Sequence, residues 1–231
     1  MGFFRTIKRD VDVVFERDPA ARSIVEVIFC YPGFHAILMH RCAHWFYKRG
    51  LVFMARLLSQ LNRFLTGIEI HPGAQIGEGL FIDHGMGVVI GETTEIGDNV
   101  TLYQGVTLGG TGKEKGKRHP TVGSSVVVSS GAKVLGSLTI GDNVKIGAGS
   151  VVLRDVPDDC TVVGVPGKIV KQNGRKVKAV GDDIIDLRHN ILPDPVGEMM
   201  LNLQERIVHL EKQIVELEAK SNGSESIQHI V

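Results

Sequence analysis

The aliphatic residues in the middle of the chain recur at every sixth position. The spacing is unbroken from Ile90 to Leu108 and again from Val122 to Val152, and glycine often follows directly. A period of six fits neither the 3.6-residue repeat of a helix nor the two-residue repeat of an ordinary strand. The full series comprises Ile70, Ile76, Ile82, Ile90, Ile96, Leu102, Leu108, Val122, Val128, Val134, Ile140, Ile146 and Val152.

This hexapeptide pattern predicts a mainly β protein built on a left-handed parallel β-helix. In that fold three repeats form one triangular coil, and the aliphatic side chains of stacked coils fill its interior. Glycine beside the aliphatic residue suits the tight corner between strands. The alternative, a glycine-rich β-sandwich, would need turns about 8–12 residues apart. We therefore place a β-helix catalytic domain at residues 67–170.

The hexapeptide spacing breaks at two places. The first break separates Ile82 from Ile90 and contains Asp83 and His84. The second separates Leu108 from Val122 by a longer, glycine- and lysine-rich segment. Because functional residues concentrate in loops that a rigid scaffold positions, we expect the active site at these two breaks.

Residues 1–66 show helical rather than hexapeptide periodicity, in segments that end at Gly67. We predict an N-terminal helical domain that caps the first coil, whose bare end would otherwise expose strand edges and apolar surface. His35, His40 and His44 recur there at helical spacing. Without neighbouring cysteines or acidic partners, this spacing favours packing over a metal site.

The C-terminal part of the chain has a different pattern. We predict a linker at residues 171–199, a heptad helix at residues 200–219 and a flexible polar tail at residues 220–231. The heptad residues alternate steps of three and four, as in a coiled coil, and a single amphipathic helix that folds back on its own chain is the alternative. They are Met200, Leu203, Ile207, Leu210, Ile214 and Leu217.

Composition excludes several classes of function. Lysine plus arginine and aspartate plus glutamate balance at 26 each, so no overall field favours nucleic acid or an anionic membrane. Cys30, Cys42 and Cys160 are odd in number and widely spaced, which indicates a reduced, cytoplasmic protein rather than a disulfide framework. The most apolar window is too short and interrupted to span a bilayer.

The residues at the two breaks suggest acid–base chemistry on a small anionic substrate. His84 is a natural general base for a hydroxyl, and a carboxylate such as Glu69, just before the first repeat, would fix its tautomer. Arg118, beside His119 at the end of the second break, suits a substrate carboxylate. The glycines at 109–112 would bring backbone N–H groups close to a ligand.

Several motifs in order resemble serine O-acetyltransferase of the hexapeptide-repeat superfamily. The similarity covers roughly residues 10 to 170. Its segments are Asp18-Pro19-Ala20, Gly33-Phe34-His35-Ala36, His44-Trp45, the run from Ile82 to Thr93, the run from Val106 to Gly112, Arg118-His119-Pro120 and Gly147-Ala148-Gly149-Ser150.

The resemblance implies transfer of acetyl from acetyl-CoA to the hydroxyl of L-serine, giving O-acetylserine for cysteine synthesis. It assigns His84 as the base and Glu69 to the position of the family's paired aspartate, one methylene longer. The implied amino-acid pocket consists of Asp18, Asp83, Arg118 and His119. The implied CoA groove between subunits is lined by Gly110, Thr111 and Ala148. No metal is expected.

The resemblance also implies partners. L-cysteine is the expected feedback inhibitor, and a homotrimer is expected because the helical segment is shorter than in family members that pair two trimers; a hexamer is the alternative. The family's C-terminal isoleucine binds O-acetylserine sulfhydrylase, whereas this chain ends in Ile230-Val231. We expect Val231 to bind the sulfhydrylase more weakly than isoleucine would.

Three other functions fit parts of the pattern. Another hexapeptide-repeat acetyltransferase, with a sugar or antibiotic acceptor, would share the prism but not the Arg118-His119 pair. A zinc hydratase on the same fold would need three histidines, for which His71, His84 and His119 are available. A non-catalytic scaffold that presents the heptad helix would have no affinity for CoA.

Overall fold

The computed structural model describes residues 3–112, 115–172, 204, 206–211 and 213–214. Its N-terminal part consists of four helices, as the sequence predicts. They are α1 (Phe3–Arg17), α2 (Ile24–Cys30), α3 (Pro32–Lys48) and α4 (Val52–Thr66). Ser23 caps α2 by accepting a hydrogen bond from the amide of Glu26, and Pro32 begins α3 where its missing N–H costs nothing. Gly67 ends α4 in the left-handed conformation.

Within the described residues, fifteen short strands follow the helices. They are β1 (Glu69–Ile70), β2 (Gln75–Ile76), β3 (Phe81–Asp83), β4 (Val89–Ile90), β5 (Glu95–Ile96), β6 (Thr101–Tyr103), β7 (Thr107–Gly109), β8 (Thr121–Val122), β9 (Val127–Val128), β10 (Lys133–Leu135), β11 (Thr139–Ile140), β12 (Lys145–Ile146), β13 (Val151–Val152), β14 (Thr161–Val163) and β15 (Lys168–Lys171).

The strands form the three faces of a prism, and the predicted left-handed parallel β-helix is confirmed. Face A is β1-β4-β7-β10-β13, face B is β11-β8-β5-β2 and face C is β15-β14-β12-β9-β6-β3. From β1 to β13, each strand pairs in parallel with the strand three places along the chain, so that Ile70 lies beside Ile90, which lies beside Leu108. The repeat therefore stacks identical positions on top of one another. Among the described strands only β15 is antiparallel, and it closes face C against β14.

The core of the prism is the column of repeat residues. Ile90, Leu102, Leu108, Val134 and Ile140 are fully buried. Since six residues correspond to one side of the triangle, each repeat returns its aliphatic residue to the interior, and the stacked coils bury one continuous apolar column.

Helix α4 is amphipathic, but its small and polar face, rather than its apolar face, packs against the rest of the chain. Its buried positions are the small or polar residues Ala55, Ser59, Asn62 and Thr66. The hydroxyl of Ser59 donates to the carbonyl of Ile70 at 2.7 Å. Its outer positions are large and apolar, and the most exposed are Phe53 (77%) and Phe64 (85%). Most of the apolar surface of α4 thus lies on the outside of the chain.

The predicted heptad helix falls partly within the described residues, and 204, 206–211 and 213–214 are helical. This segment belongs to the second of the two units into which the chain divides. The predicted tail lies outside the described residues, and so does the predicted linker beyond Gln172. Among the helices that the structure describes, none has the length and apolar character needed to cross a membrane.

Candidate active site

The two breaks in the hexapeptide repeat lie on two different edges of face A. The first break connects β3 of face C to β4 of face A, so that Asp83 and His84 lie at the C/A edge. The second connects β7 of face A to β8 of face B, so that Arg118 and His119 lie at the A/B edge. Glu92 occupies the corresponding corner one coil earlier.

His84 occupies a left-handed turn at the C/A edge. Its backbone φ is +57°, and histidine is one of the residue types that tolerate this region. Its carbonyl accepts the amide of Met86 at 2.9 Å, which holds the turn closed. The side chain is 77% exposed, and its Nε2 lies 3.8 Å from Oδ1 of Asp83. The imidazole is therefore presented to the outside of the chain beside a carboxylate.

Asp18 lies directly after α1 and is held there by two hydrogen bonds. Its Oδ1 accepts the amide of Ala20 at 2.8 Å, and its Oδ2 accepts the hydroxyl of Tyr31 at 2.6 Å. Burial first, then Asp18 and more weakly Asp83, raise the pKa of the Tyr31 phenol. Because Asp83 also acts on that phenol, both carboxylates lie in one electrostatic environment. Two carboxylates so placed suit an ammonium group.

Glu69 does not form the hydrogen bond to His84 that the resemblance implies. Within the described residues its partner is Arg63 of α4, whose Nη1 lies 3.3 Å from Glu69 Oε2. The two residues meet because Gly67 turns the chain sharply between α4 and β1. Glu69 still begins face A next to the C/A edge, but its carboxylate points to a different partner from the expected one.

Arg118 and His119 are fixed at the A/B edge by Thr93. The Thr93 hydroxyl oxygen accepts the amides of Arg118 and His119 at 3.0 and 3.1 Å. The Arg118 guanidinium forms an ion pair with Glu92, which also accepts the hydroxyl of Tyr47 at 3.1 Å. This ion pair and the tyrosine lower the pKa of Glu92 against the opposing effect of burial.

His119 is poised as a neutral hydrogen-bond donor. Burial first, and then the charge of Arg118, lower its pKa. Its Nδ1 lies 3.3 Å from the amide N of Thr93 and 2.9 Å from the hydroxyl oxygen of Thr93. Since that amide can only donate, Nδ1 is the acceptor and the ring proton lies on Nε2. Nε2–H is thus the donor of the ring.

The three residues expected in the CoA groove are exposed, and they too are divided between the two edges of face A. Gly110 and Thr111 follow β7 at the A/B edge, whereas Ala148 follows β12 at the C/A edge. A Cβ at Gly110 would lie 3.0 Å from the carbonyl oxygen of Arg118, so this position accommodates little more than glycine.

The two sets of site residues do not meet within one chain. About five residues of face A separate the corner after His84 from the corner at Glu92, which at about 3.3 Å per residue is roughly 15 Å. The base and the two acidic residues therefore lie on one edge, and the arginine and the neutral histidine lie on the other.

The histidines considered as metal ligands are engaged elsewhere. Nδ1 of His44 is bonded to the carbonyl of Pro72 at 2.8 Å, and Nδ1 of His71 accepts the amide of Gly73 at 3.0 Å. Burial lowers the pKa of His40 to about 3. The part of the chain that the structure describes has no group of three or more histidine, cysteine, aspartate or glutamate side chains that could hold a metal ion. His84 lies on the opposite edge of face A from His119, so the zinc triad is not assembled within one chain.

Several residues that shape the site did not emerge from the sequence. Tyr31, Tyr47 and Thr93 each bond directly to a candidate site residue. Thr93 belongs to a motif that the resemblance includes, but a threonine that orients two backbone amides leaves no spacing signal of its own. The tyrosines reach the site through helix packing, which the repeat does not specify.

Two parts of the chain match models of known protein families. Residues 119–154 match the family model described as bacterial transferase hexapeptide (six repeats), and residues 2–38 match the model for the N-terminal part of serine acetyltransferase. The serine acetyltransferase of Bacillus subtilis is 60% identical over 220 residues, which cover 95% of this chain and 99% of that protein. The chain therefore belongs to the serine acetyltransferase family.

Solved structures agree with this assignment. The Brucella abortus serine acetyltransferase in complex with coenzyme A is 44% identical, with a TM-score of 0.72 over 74% of this chain and 69% of that one. A serine acetyltransferase in complex with cysteine is 42% identical, with a TM-score of 0.71 over 72% of this chain and 69% of that one. The chain spans only 65% of the Neisseria gonorrhoeae enzyme, at 44% identity and a TM-score of 0.72.

Proposed function

We propose that this chain transfers the acetyl group of acetyl-CoA to the hydroxyl of L-serine, the first step of cysteine biosynthesis. Family membership supports the reaction, and the arrangement on face A supports the mechanism. A base with two carboxylates lies at one edge, and an arginine with a neutral histidine lies at the other. Together these groups match an amino acid that presents an ammonium, a carboxylate and a hydroxyl to be deprotonated.

In the proposed reaction, His84 removes the proton from the serine hydroxyl as its oxygen attacks the thioester carbonyl. The carbon–sulfur bond then breaks, and the proton passes from His84 to the sulfur of CoA. Asp18 and Asp83 hold the ammonium group, Arg118 binds the carboxylate, and His119 donates from Nε2. Glu69 orients His84 once it leaves its ion pair with Arg63.

We propose that the complete site forms between neighbouring chains of a homotrimer, with a hexamer as the alternative. The C/A edge of one chain would meet the A/B edge of the next, which joins the two sets of site residues and the two walls of the CoA groove. The exposed apolar face of α4 supports this assembly, because helix α4 ends beside the C/A edge. The carbonyl of Gly67 accepts the amide of Gly87, in the loop that contains His84, at 3.0 Å.

Two experiments test these proposals. Incubation with acetyl-CoA and L-serine should release free thiol, whereas a scaffold without CoA affinity would release none. To test the shared site, the His84→Asn chain and the Arg118→Ala chain are co-expressed. Each is expected to be inactive on its own. Random assembly should then restore about one quarter of the wild-type sites, because each site takes one edge from each chain. No recovery in confirmed mixed trimers would place the site within a single chain.

Three further parts of the proposal concern ligands and location. L-cysteine is proposed as a competitive inhibitor, supported by the solved family complex with cysteine. The three cysteines Cys30, Cys42 and Cys160 are free, which supports a reducing, cytoplasmic location. The contact of Val231 with O-acetylserine sulfhydrylase is tested by comparing the full chain, a chain without Val231 and Val231→Ile. Equal binding by all three would exclude the tail.

A further inference from the structure

Arg17 is a buried cation in a place where burial is costly. It is the last residue of α1, and only 6% of it is exposed. Its Nη1 donates to the carbonyl of Val100 at 2.9 Å and to the hydroxyl of Thr101 at 2.8 Å. Its Nη2 is buried without a hydrogen-bond partner among the described residues. An apolar side chain of similar length would fill this space without the loss of hydration that the guanidinium suffers.

The contacts of Arg17 connect the end of α1 to the strand that supports Asp83. Thr101 begins β6, and β6 lies alongside β3 with Tyr103 directly beside Asp83. Asp18 is the next residue after Arg17, and its amide closes the last turn of α1 on the carbonyl of Val14 at 2.8 Å. The position of Asp18 relative to Asp83 therefore depends on how α1 is fastened to β6.

The charges of Arg17 and Asp83 both act on the phenol of Tyr103. Burial first and Asp83 second raise the pKa of Tyr103, while the charge of Arg17 lowers it. Burial also lowers the pKa of Arg17 to about 10, which leaves the guanidinium protonated at neutral pH. Arg17 thus keeps its charge while its Nη1 holds the end of α1 against β6.

We propose that Arg17 is a positioning residue of the amino-acid pocket, which fastens the end of α1 to the second coil and thereby holds Asp18 beside Asp83. The inference rests on the proposed serine acetyltransferase activity, since Asp18 and Asp83 bind the ammonium group in that proposal. Arg17 acts through Asp18, whose position it fixes.

Arg41 is a matched control for a purely structural contribution. It also fastens α1 to the rest of the molecule, since its guanidinium bonds both carboxylate oxygens of Asp10 at 2.8 and 2.9 Å and the carbonyl of Gly77 at 3.1 Å. It has a carboxylate partner of its own, Asp10, and none of its hydrogen bonds is to Asp18. Arg41→Met should therefore lower thermal stability without a selective effect on serine.

The test compares Arg17→Met, Arg17→Lys and Arg41→Met in steady-state kinetics, with L-cysteine binding measured by calorimetry. Arg17→Met should raise the KM for serine and the Kd for cysteine by about 10- to 100-fold, the scale of a small displacement of a binding group. The KM for acetyl-CoA should change by less than about twofold, as for an interaction that is not lost. Arg17→Lys, which retains charge, should give a smaller effect and serves if Arg17→Met does not fold.

A double-mutant cycle separates positioning from general stability. If Arg17 acts through Asp18, Arg17→Met should add little to the serine KM of Asp18→Asn, whereas independent effects would multiply. Equal changes for serine and acetyl-CoA, or a serine KM unchanged in a folded Arg17 variant, would overturn the proposal. A wild-type protein that binds cysteine without acetylating serine would refute the activity alone, while one that binds neither amino acid would refute both.

Discussion

His119 lies directly over Gly91, so closely that a side chain at position 91 would occupy the space of the imidazole. A Cβ built on Gly91 would be 1.9 Å from Cδ2 and 2.1 Å from Nε2 of His119. The ring has little room to move, since only 8% of His119 is exposed and Nδ1 is bonded to Thr93. The absent side chain of Gly91 is thus part of what shapes the proposed carboxylate pocket.

Gly91→Ala should therefore impair the response to serine while leaving the prism folded. We expect kcat/KM for serine to fall by about 10- to 100-fold, as for a displaced binding group. Gly109→Ala is the matched control, because it occupies the same corner one coil later and its Cβ would meet side-chain atoms of Leu135 at 2.9 Å and Thr107 at 3.3 Å instead of His119. Similar losses in both variants would mean that the coil, rather than His119, is responsible.

The sequence predicted the prism well because the repeat and the geometry have the same period. Each hexapeptide places its aliphatic residue at the equivalent position on its side of the triangle, so that Ile70, Ile90 and Leu108 stack on one another. It also marked both breaks correctly. The spacing alone does not say on which edge of the prism each break lies, and the observed strand order supplies that information.

Contacts between helices and the prism were less accessible from sequence. The apolar residues of α4 suggested an ordinary cap helix, yet Ser59 and Asn62 face inward because their side chains satisfy the carbonyls of Ile70 and Ala36. The partner of Glu69 was also missed, since the turn at Gly67 brings Arg63 within reach. Such contacts depend on helix orientation, which hexapeptide spacing does not determine.

Replacement of His84 should abolish most of the activity without disturbing the turn. Asparagine is the better replacement, because it tolerates the left-handed backbone at this position, where φ is +57°. We expect kcat to fall by about 10²–10⁴, the usual contribution of a positioned base, with CoA binding unchanged in calorimetry. Near-normal turnover by His84→Asn would rule out this residue as the base.

Glu69→Gln should lower kcat less than His84→Asn, because Glu69 orients the base rather than accepting the proton. Arg63→Met is the informative companion, since it removes the 3.3 Å ion pair but leaves the carboxylate in place. Turnover numbers should show little loss for Arg63→Met. An equal loss in both variants would show that the ion pair itself, and not an orienting carboxylate, is what the reaction needs.

Arg118→Lys should weaken serine binding and cysteine inhibition in parallel. Lysine retains the charge but loses the planar fork that binds a carboxylate through two parallel hydrogen bonds. Lys117→Gln is the control, because Lys117 contacts the carbonyl of Thr93 and the carboxylate of Glu95 instead. Initial rates should give a higher serine KM and a higher inhibition constant for Arg118→Lys only. Divergent changes in the two constants would separate Arg118 from a shared pocket.

Stability should fall as the pH drops below about 6.5, the ordinary pKa of histidine. Burial lowers the pKa of His40 to about 3 and that of His71 to about 4, so both stay neutral in the folded protein. The unfolded chain binds their protons at a higher pH, so the free energy of unfolding decreases from pH 6.5 towards pH 4. Urea titrations across this range should show a shallower decrease for His40→Gln, and an unchanged slope would exclude His40 as a source.

The last prediction concerns assembly through the exposed apolar face of α4. Phe64 is 85% exposed in the single chain, and burial of a phenylalanine is worth about 1.5–3 kcal/mol. A charge there should therefore dissociate the proposed trimer and, since the site needs two chains, remove activity as well. Gln60→Glu places the same charge at an exposed polar position of the same helix and should do neither. The molecular mass from light scattering and the turnover number, measured at matched concentrations, should fall together for Phe64→Glu. A fully active Phe64→Glu monomer would refute the shared site.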